Sequence, residues 1–206
     1  MTDPKAVIIA TGVANTASIA AAFRRCGLET EFTTSAERVF EAPLVVLPGV
    51  GSFAAGMEML QAYGLEEPLS RRFQDGDPLL AVCLGMQLLC TGSEESPGVR
   101  GLGLIDAQVE RFGANARVPQ FGWNLIEAPE LSRMLESGFA YFANSYRIVE
   151  PPSGYLASTS FHGGPFVSAL ERGSMLACQF HPELSGRWGA DLVRRWVSTQ
   201  MERVSC

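Results

Sequence analysis

Two short runs that are apolar throughout, Leu44-Val-Val-Leu47 after Pro43 and Leu79-Leu-Ala-Val82 after Pro78, constrain this chain more than any other feature. A strand with one wet face alternates apolar and polar residues, whereas a continuously apolar strand has both faces covered. A parallel sheet with helices packed on each side meets that condition. The neighbouring segments agree with it. Lys5–Ala10 is β-rich, the stretch from about Asn15 to Cys26 reads as a helix stopped by Gly27, and Glu29–Thr33 offers a second strand. Helical periodicity fills Phe53 to about Gln74, and another helix follows Cys83 as far as about Thr91. Strands alternating with helices imply right-handed βαβ crossovers.

From Gly101 the texture changes to strands and turns. Leu102–Phe112, Trp123–Glu127, Phe139–Val149, Tyr155–Phe161, Phe166–Leu170 and Met175–Phe180 read as strands. The last two are joined by a tight turn around Arg172-Gly173-Ser174. Gly186–Glu202 closes the chain as an amphipathic helix. No internal repeat, low-complexity tract or linker interrupts the pattern. The expectation is one α/β domain over residues 1–206, with a mixed, mostly parallel central sheet flanked by helices. A chain of 206 residues can bury most of its apolar surface without disulfides or metals.

Composition narrows the partners. Sixteen basic residues stand against 22 acidic ones, a net charge of −6, and no run of Lys or Arg occurs. Nucleic acid and anionic membranes are therefore poor partners. No segment approaches the roughly 20 apolar residues of a membrane helix, and Met1-Thr-Asp-Pro-Lys-Ala6 lacks a signal-peptide pattern. Cys26, Cys83, Cys90, Cys178 and Cys206 are an odd set without CxxC spacing, as expected of reduced thiols in the cytoplasm. Two histidines and no Cys/His cluster give no reason to expect a zinc site.

In open α/β sheets, reactive groups gather at the carboxyl ends of the strands. Cys83 sits there, between the run Pro78–Val82 and the helix that starts with Leu84-Gly-Met-Gln87. Helix-terminal N–H groups beside a thiol favour the thiolate, its nucleophilic form. Taken singly, Cys83 reads more readily as a buried structural thiol, which is also the reading for Cys26, Cys90 and Cys178. Pro48-Gly49-Val50-Gly51 follows the preceding strand, and its glycines let the backbone turn and present N–H groups. Such a loop can be a phosphate cradle or an oxyanion hole. It is neither GxGxxG nor a Walker motif and carries no lysine, so the oxyanion hole fits better, with the Leu84 N–H as second donor. Downstream, Gln179-Phe-His181-Pro-Glu183 offers a base and a carboxylate to orient it, whereas His162 reads as a turn residue. Cys, His and Glu amount to a nucleophile, a general base and an orienter.

These motifs resemble the class I, triad-type glutamine amidotransferases, and within them the glutaminase subunits of imidazole glycerol phosphate synthases. The similarity is carried by Thr11-Gly-Val-Ala-Asn15, Leu47-Pro-Gly-Val-Gly51, Val82-Cys-Leu-Gly-Met-Gln-Leu-Leu89, Ser93-Glu-Glu95, Gly101-Leu-Gly-Leu-Ile105, Val118-Pro-Gln-Phe-Gly-Trp-Asn124, Tyr141-Phe-Ala-Asn-Ser-Tyr146 and Gln179-Phe-His-Pro-Glu-Leu-Ser185. They occur in family order over nearly the whole chain. The resemblance implies that Cys83 attacks the side-chain amide carbon of L-glutamine, that His181 moves the proton, and that Glu183 orients it. It implies an oxyanion hole from Gly49, Val50, Gly51 and Leu84. It assigns Gln87, Glu94, Ser145 and Tyr146 to the bound glutamine, and asks for no metal or cofactor. It implies a (βα)8-barrel cyclase subunit that receives the ammonia to make imidazole glycerol phosphate in histidine biosynthesis. Asn15, Gln120, Trp123, Asn124 and Leu184 would lie at or near that contact.

Five positions depart from the family pattern. Gln120 and Asn144 stand where histidine is usual, Leu184 replaces a basic residue, Ala81 replaces glycine, and Ala10 replaces an acidic residue. None of them removes a triad member. Loss of a basic residue at a contact removes an interfacial ion pair, which bears on docking. Two alternatives stay open at this level. One is a paralogue feeding ammonia to a different synthase, such as one making an amidino sugar. The other is a catalytically silent relative that binds the barrel.

Overall fold

The sheet is built by the apolar runs, and their alternation explains why they are apolar throughout. The structure is a computed structural model that describes residues 5–11 and 16–204. In chain order its first half comprises β1 (Lys5–Ile9), α1 (Thr16–Arg24), β2 (Glu29–Thr33), α2 (Ala36–Glu41), β3 (Leu44–Gly49), α3 (Phe53–Ala62), α4 (Glu66–Asp75), β4 (Leu79–Cys83) and α5 (Leu84–Leu88). Leu44, Val46, Leu80 and Val82 pack with Phe23 and Trp196 on one face of the sheet. Val45, Leu47, Leu79 and Ala81 pack with Phe53, Leu60, Leu69 and Phe73 on the other. Successive strand residues point to opposite faces, so two covered faces require an apolar residue at every position.

The second half comprises β5 (Gly92–Ser93), β6 (Gln108–Arg111), β7 (Gln120–Ile126), β8 (Gly138–Asn144), β9 (Tyr146–Ile148), β10 (Leu156–Phe161), β11 (Pro165–Arg172), β12 (Met175–Cys178) and α6 (Gly186–Val204). The main sheet runs β2-β1-β3-β4-β12-β11-β9-β6-β5, with β10 paired to β11. β2, β1, β3, β4 and β12 are mutually parallel, and β11, β9 and β6 pair antiparallel beyond them. This is the mixed, mostly parallel α/β sheet that the sequence suggests. β7 and β8 form a separate antiparallel pair. No helix among the described residues is long and apolar enough to cross a membrane.

Several elements differ from the sequence reading. The helix expected from Phe53 to Gln74 is two helices, because Gly64 takes a left-handed φ of 63° and Leu65 N–H bonds back to the Leu60 carbonyl at 2.8 Å. The short helix α2 has no counterpart in the apolar periodicity; Ser35 caps it through its hydroxyl, which accepts from Arg38 N–H. The strand expected over Leu102–Phe112 is confined to Gln108–Arg111, and that over Phe139–Val149 breaks at Ser145 into β8 and β9.

Two register facts position the site. β3 and β4 pair so that Gly49 lies opposite Cys83, and β4 and β12 pair so that Val82 lies opposite Cys178. The carboxyl ends of three neighbouring strands therefore finish together, and the segment after β12 emerges beside Cys83. The turn into α5 is seated directly on β3. A Cβ at Gly85 would stand 2.0 Å from the Leu47 carbonyl oxygen, and one at Gly49 2.8 Å from Leu84 Cβ. Gly85→Ala is accordingly expected to destabilise the protein by about 3 kcal/mol through overpacking against backbone. Urea unfolding measures this, and a loss under about 1 kcal/mol would contradict the seating.

Candidate active site

Cys83 is the only non-glycine residue with positive φ among the described residues, at φ 54° and ψ −111°. Such a conformation costs on the order of 1–3 kcal/mol and persists only when the surroundings enforce it. Here β3 and β12 pair on either side of β4, and α5 begins at the next residue. The turn directs the sulfur out of the sheet end into a cavity of about 220 Å³ lined by Val50, Gly51, Leu84, Gln87, Glu95, Ala143, Asn144, Tyr146 and His181.

His181 reaches this cavity from the segment after β12. Its backbone N–H donates to the Tyr141 carbonyl at 2.9 Å, which ties it to β8. Ser185 locks the same turn: its hydroxyl donates to the His181 carbonyl at 2.6 Å and accepts from Tyr141 N–H at 2.9 Å. Pro182 opens a single 3-10 turn that swings Glu183 back under the imidazole. His181 Nδ1 and Glu183 Oε1 are 2.8 Å apart, and both side chains are almost fully buried. Burial opposes a charge on the ring. Hydrogen bonding and charge attraction from Cys83 and Glu183 outweigh that opposition and raise His181 from 6.5 to about 10. With Nδ1 engaged by the carboxylate, the other ring nitrogen is left for the sulfur. The imidazole thus interacts with both the Cys83 sulfur and the Glu183 carboxylate.

The remaining thiols are of a different kind. Burial pushes Cys90 up to about 12 and Cys178 well above its ordinary value, and it also raises Cys26. Among the described residues no group of His, Cys, Asp and Glu could hold a metal ion.

The other residues singled out in the sequence divide. Val50, Gly51 and Leu84 line the cavity, and Gly49 stands behind them as the last residue of β3. Gly51 has φ 105°, so a side chain there would be strained. Gln87 and Tyr146 also line the cavity. Glu94 does not: its carboxylate turns away and accepts from Arg111 N–H at 2.7 Å. Glu95 takes its place at the cavity wall, held by Phe53 N–H at the start of α3 at 2.7 Å. Both glutamates lie in the turn that Ser96 N–H closes on the Ser93 carbonyl at 3.1 Å, and sequence spacing could not say which of the two carboxylates that turn sends inward. Ser145 is not a lining residue; its carbonyl accepts from Phe112 N–H, while Asn144 and Tyr146 on either side face the cavity.

Strand alternation divides the expected contact residues as well. Gln120 and Asn124 lie on the inner face of β7. Gln120 is 5% exposed opposite Asn144, and the Asn124 amide donates to the Phe161 carbonyl at 2.9 Å. Neither is presented outward. Trp123 and Leu184 are exposed, as are Phe121, Leu125, Phe139 and Phe161. Asn15 lies outside the described residues. Gln179, Ser185 and Glu95 carry no distinguishing sequence signal; the first two lie within the His-Pro-Glu segment, and only hydrogen bonds in the folded chain set the three apart.

A family profile described as glutamine amidotransferase class-I matches residues 7–197. The imidazole glycerol phosphate synthase subunit HisH of Deinococcus radiodurans is 43% identical over 197 residues, covering 92% of this chain and 91% of that one. The chain belongs to the HisH family of class I glutamine amidotransferases. A plant relative, the chloroplastic imidazole glycerol phosphate synthase hisHF of Arabidopsis thaliana, is 35% identical over 97% of this chain and 35% of its own length. A solved glutamine amidotransferase superposes with a TM-score of 0.77 at 22% identity, over 95% of this chain and 98% of that one, a likeness of fold. In this HisH family member the strand order gathers Gly49, Cys83 and His181 at one sheet edge.

The raised folded value of His181 fixes the sign of a pH effect. Its contribution to stability is present in full below about pH 6.5 and is lost as pH rises toward 10. Urea unfolding of wild type and His181→Gln should give a stability gap that shrinks between those two pH values. A gap that stays constant or widens would contradict the pairing.

Proposed function

We propose that this chain is the glutaminase subunit of an imidazole glycerol phosphate synthase in the cytoplasm, and that Cys83, His181 and Glu183 carry its chemistry. The observation that supports this most is the convergence of a strained Cys83, the His181–Glu183 pair at 2.8 Å and the Val50–Gly51 loop on one cavity. The cavity suits a small polar substrate such as the side chain of L-glutamine.

In this reading the Cys83 thiolate adds to the side-chain amide carbon of glutamine. Negative charge moves onto the carbonyl oxygen, where N–H groups of the Val50–Gly51 loop and of Leu84 receive it. Protonated His181 delivers its proton to the amide nitrogen, the C–N bond breaks, and ammonia leaves a glutamyl thioester on Cys83. Neutral His181 then takes a proton from water, whose oxygen attacks the thioester carbon and releases glutamate with the thiolate restored. Glu183 keeps the imidazole oriented and stabilises its charged form through both halves. The Glu95 carboxylate is placed to meet the substrate's α-ammonium group. The Gln87 amide nitrogen already donates to Tyr146 and Gln179, so its oxygen is the atom left for the substrate.

The ammonia requires an acceptor, and the relatives are named as a subunit of imidazole glycerol phosphate synthase and as its hisHF form. The outer face of β7 and β8 favours the same partner side. Phe121 (70% exposed), Trp123 (58%), Leu125 and Phe139 are exposed apolar side chains of that face, and Phe121 lies opposite the cavity-lining Ala143. Leu184 supplies apolar contact where the family usually has a cation, so this contact depends on burial more than on charge.

Two measurements test the reading. Glutamate release from glutamine, assayed with the (βα)8-barrel subunit, should fall about ten-thousand-fold in Cys83→Ala; retained turnover would remove Cys83 as nucleophile. Trp123→Asp should weaken binding of the barrel subunit by about 2 kcal/mol, some thirtyfold in Kd by calorimetry. Unchanged binding would place the contact elsewhere.

A further inference from the structure

A chain of buried side-chain amides ends on the Cys83 sulfur. Gln87, Asn144 and Gln179 are all at least nine-tenths buried. The Tyr146 carbonyl accepts from Asn144 Nδ2 at 3.0 Å and from Gln87 Nε2 at 3.3 Å. Gln87 Nε2 also donates to Gln179 Oε1 at 2.9 Å, and Gln179 Nε2 lies 3.7 Å from Cys83 Sγ.

The direction of this chain is fixed by one backbone group. A carbonyl can only accept, so Gln87 must turn its NH2 toward Tyr146. The second hydrogen of that NH2 then faces Gln179, which must answer with its oxygen. The NH2 of Gln179 is thereby left toward the sulfur. Turning the Gln179 amide over would oppose two donors at Gln87 and leave both unsatisfied in the interior, which a buried amide pair disfavours. A donor aimed at sulfur favours thiolate, which only accepts; the amide oxygen in the same place would favour S–H.

We infer that Gln179 is a catalytic residue of this site: its amide donates a hydrogen bond to Cys83 Sγ and holds it as thiolate, with Gln87 and the Tyr146 carbonyl setting the amide's orientation. The network contains no titratable member, so the donor persists at every pH at which the fold does. It approaches the sulfur from β12, independently of the imidazole. The inference deepens the reading of Cys83 as nucleophile and rests on it.

The test is the pH profile of Cys83 alkylation by iodoacetamide, read by peptide mapping on the full chain without glutamine. The titratable groups around the sulfur are His181 with Glu183 behind it, Glu95 and Tyr146 at the cavity wall, and Cys178 at the end of β12; all are retained in the variants. Gln179→Met keeps the length of the side chain and removes the donor. Its alkylation rate at pH 7 should fall about tenfold, with the midpoint moved up by about one pH unit. Gln179→Glu, which sets an oxygen against the sulfur, should move it further. A loss of packing alone would lower the melting temperature and leave the midpoint in place, so an unmoved midpoint in folded Gln179→Met overturns the role. Should Gln179→Met not fold, Gln87→Met releases the orientation of Gln179. A smaller upward shift is expected there, and an unmoved midpoint overturns the role equally. Glutamate release that survives Cys83→Ala would instead defeat the nucleophile reading, whatever the alkylation profiles show.

Discussion

The parallel pairing of β4 with β3 on one side and β12 on the other is the constraint from which the site follows. It sets Gly49 opposite Cys83 and brings the chain after Cys178 to the same edge. β12 is the last strand in sequence yet lies beside the fourth, so residues far apart in the chain meet at the sheet's carboxyl end. Without that insertion Cys83 would be a thiol at a strained turn, with no base within reach. The cost of its positive φ, on the order of 1–3 kcal/mol, is offset by pairing along both edges of β4.

Around that edge, each group is held by a different neighbour. The β8 strand fixes the backbone of His181, Ser185 closes the turn beneath it, and the start of α3 holds Glu95 through Phe53 N–H. Glu183 meets the imidazole inside a buried pocket, where the mutual attraction of charges is less screened than in water. These supports lie mostly outside the motifs that draw attention in the sequence. They are also the reason that a few hydrogen bonds can fix the direction of a neutral amide chain.

Much of the site was legible because its parts are contiguous. The strand–Cys–helix junction, the Gly49–Gly51 loop and the His181–Glu183 pair each occupy a few adjacent residues, and local rules suffice to read them. The failures have equally particular causes. Glu94 and Glu95 are neighbours in the turn between Ser93 and Ser96, and the hydrogen bonds each makes, to Arg111 N–H and to Phe53 N–H, send their carboxylates to different places. The period-two alternation of β7 buries Gln120, leaves Asn124 half-buried on the same face, and turns Phe121 and Trp123 outward. The break at Gly64 and the end of β8 at Ser145 turn on local backbone conformations that apolar periodicity does not report.

By itself the sequence determined the covered sheet, since only strands buried on both faces tolerate runs such as Leu79-Leu-Ala-Val82, and it determined which residue types stand at the strand ends. The family match extends from the same local patterns. Tertiary structure decided the rest: which carboxylate enters the cavity, which side of the β7–β8 pair is apolar and exposed, and how Gln87 and Gln179 are turned. Those outcomes depend on partners distant in sequence, a backbone carbonyl in one case and a helix terminus in another. A hydrogen bond's direction is set by what lies across it, and only the folded chain supplies that neighbour.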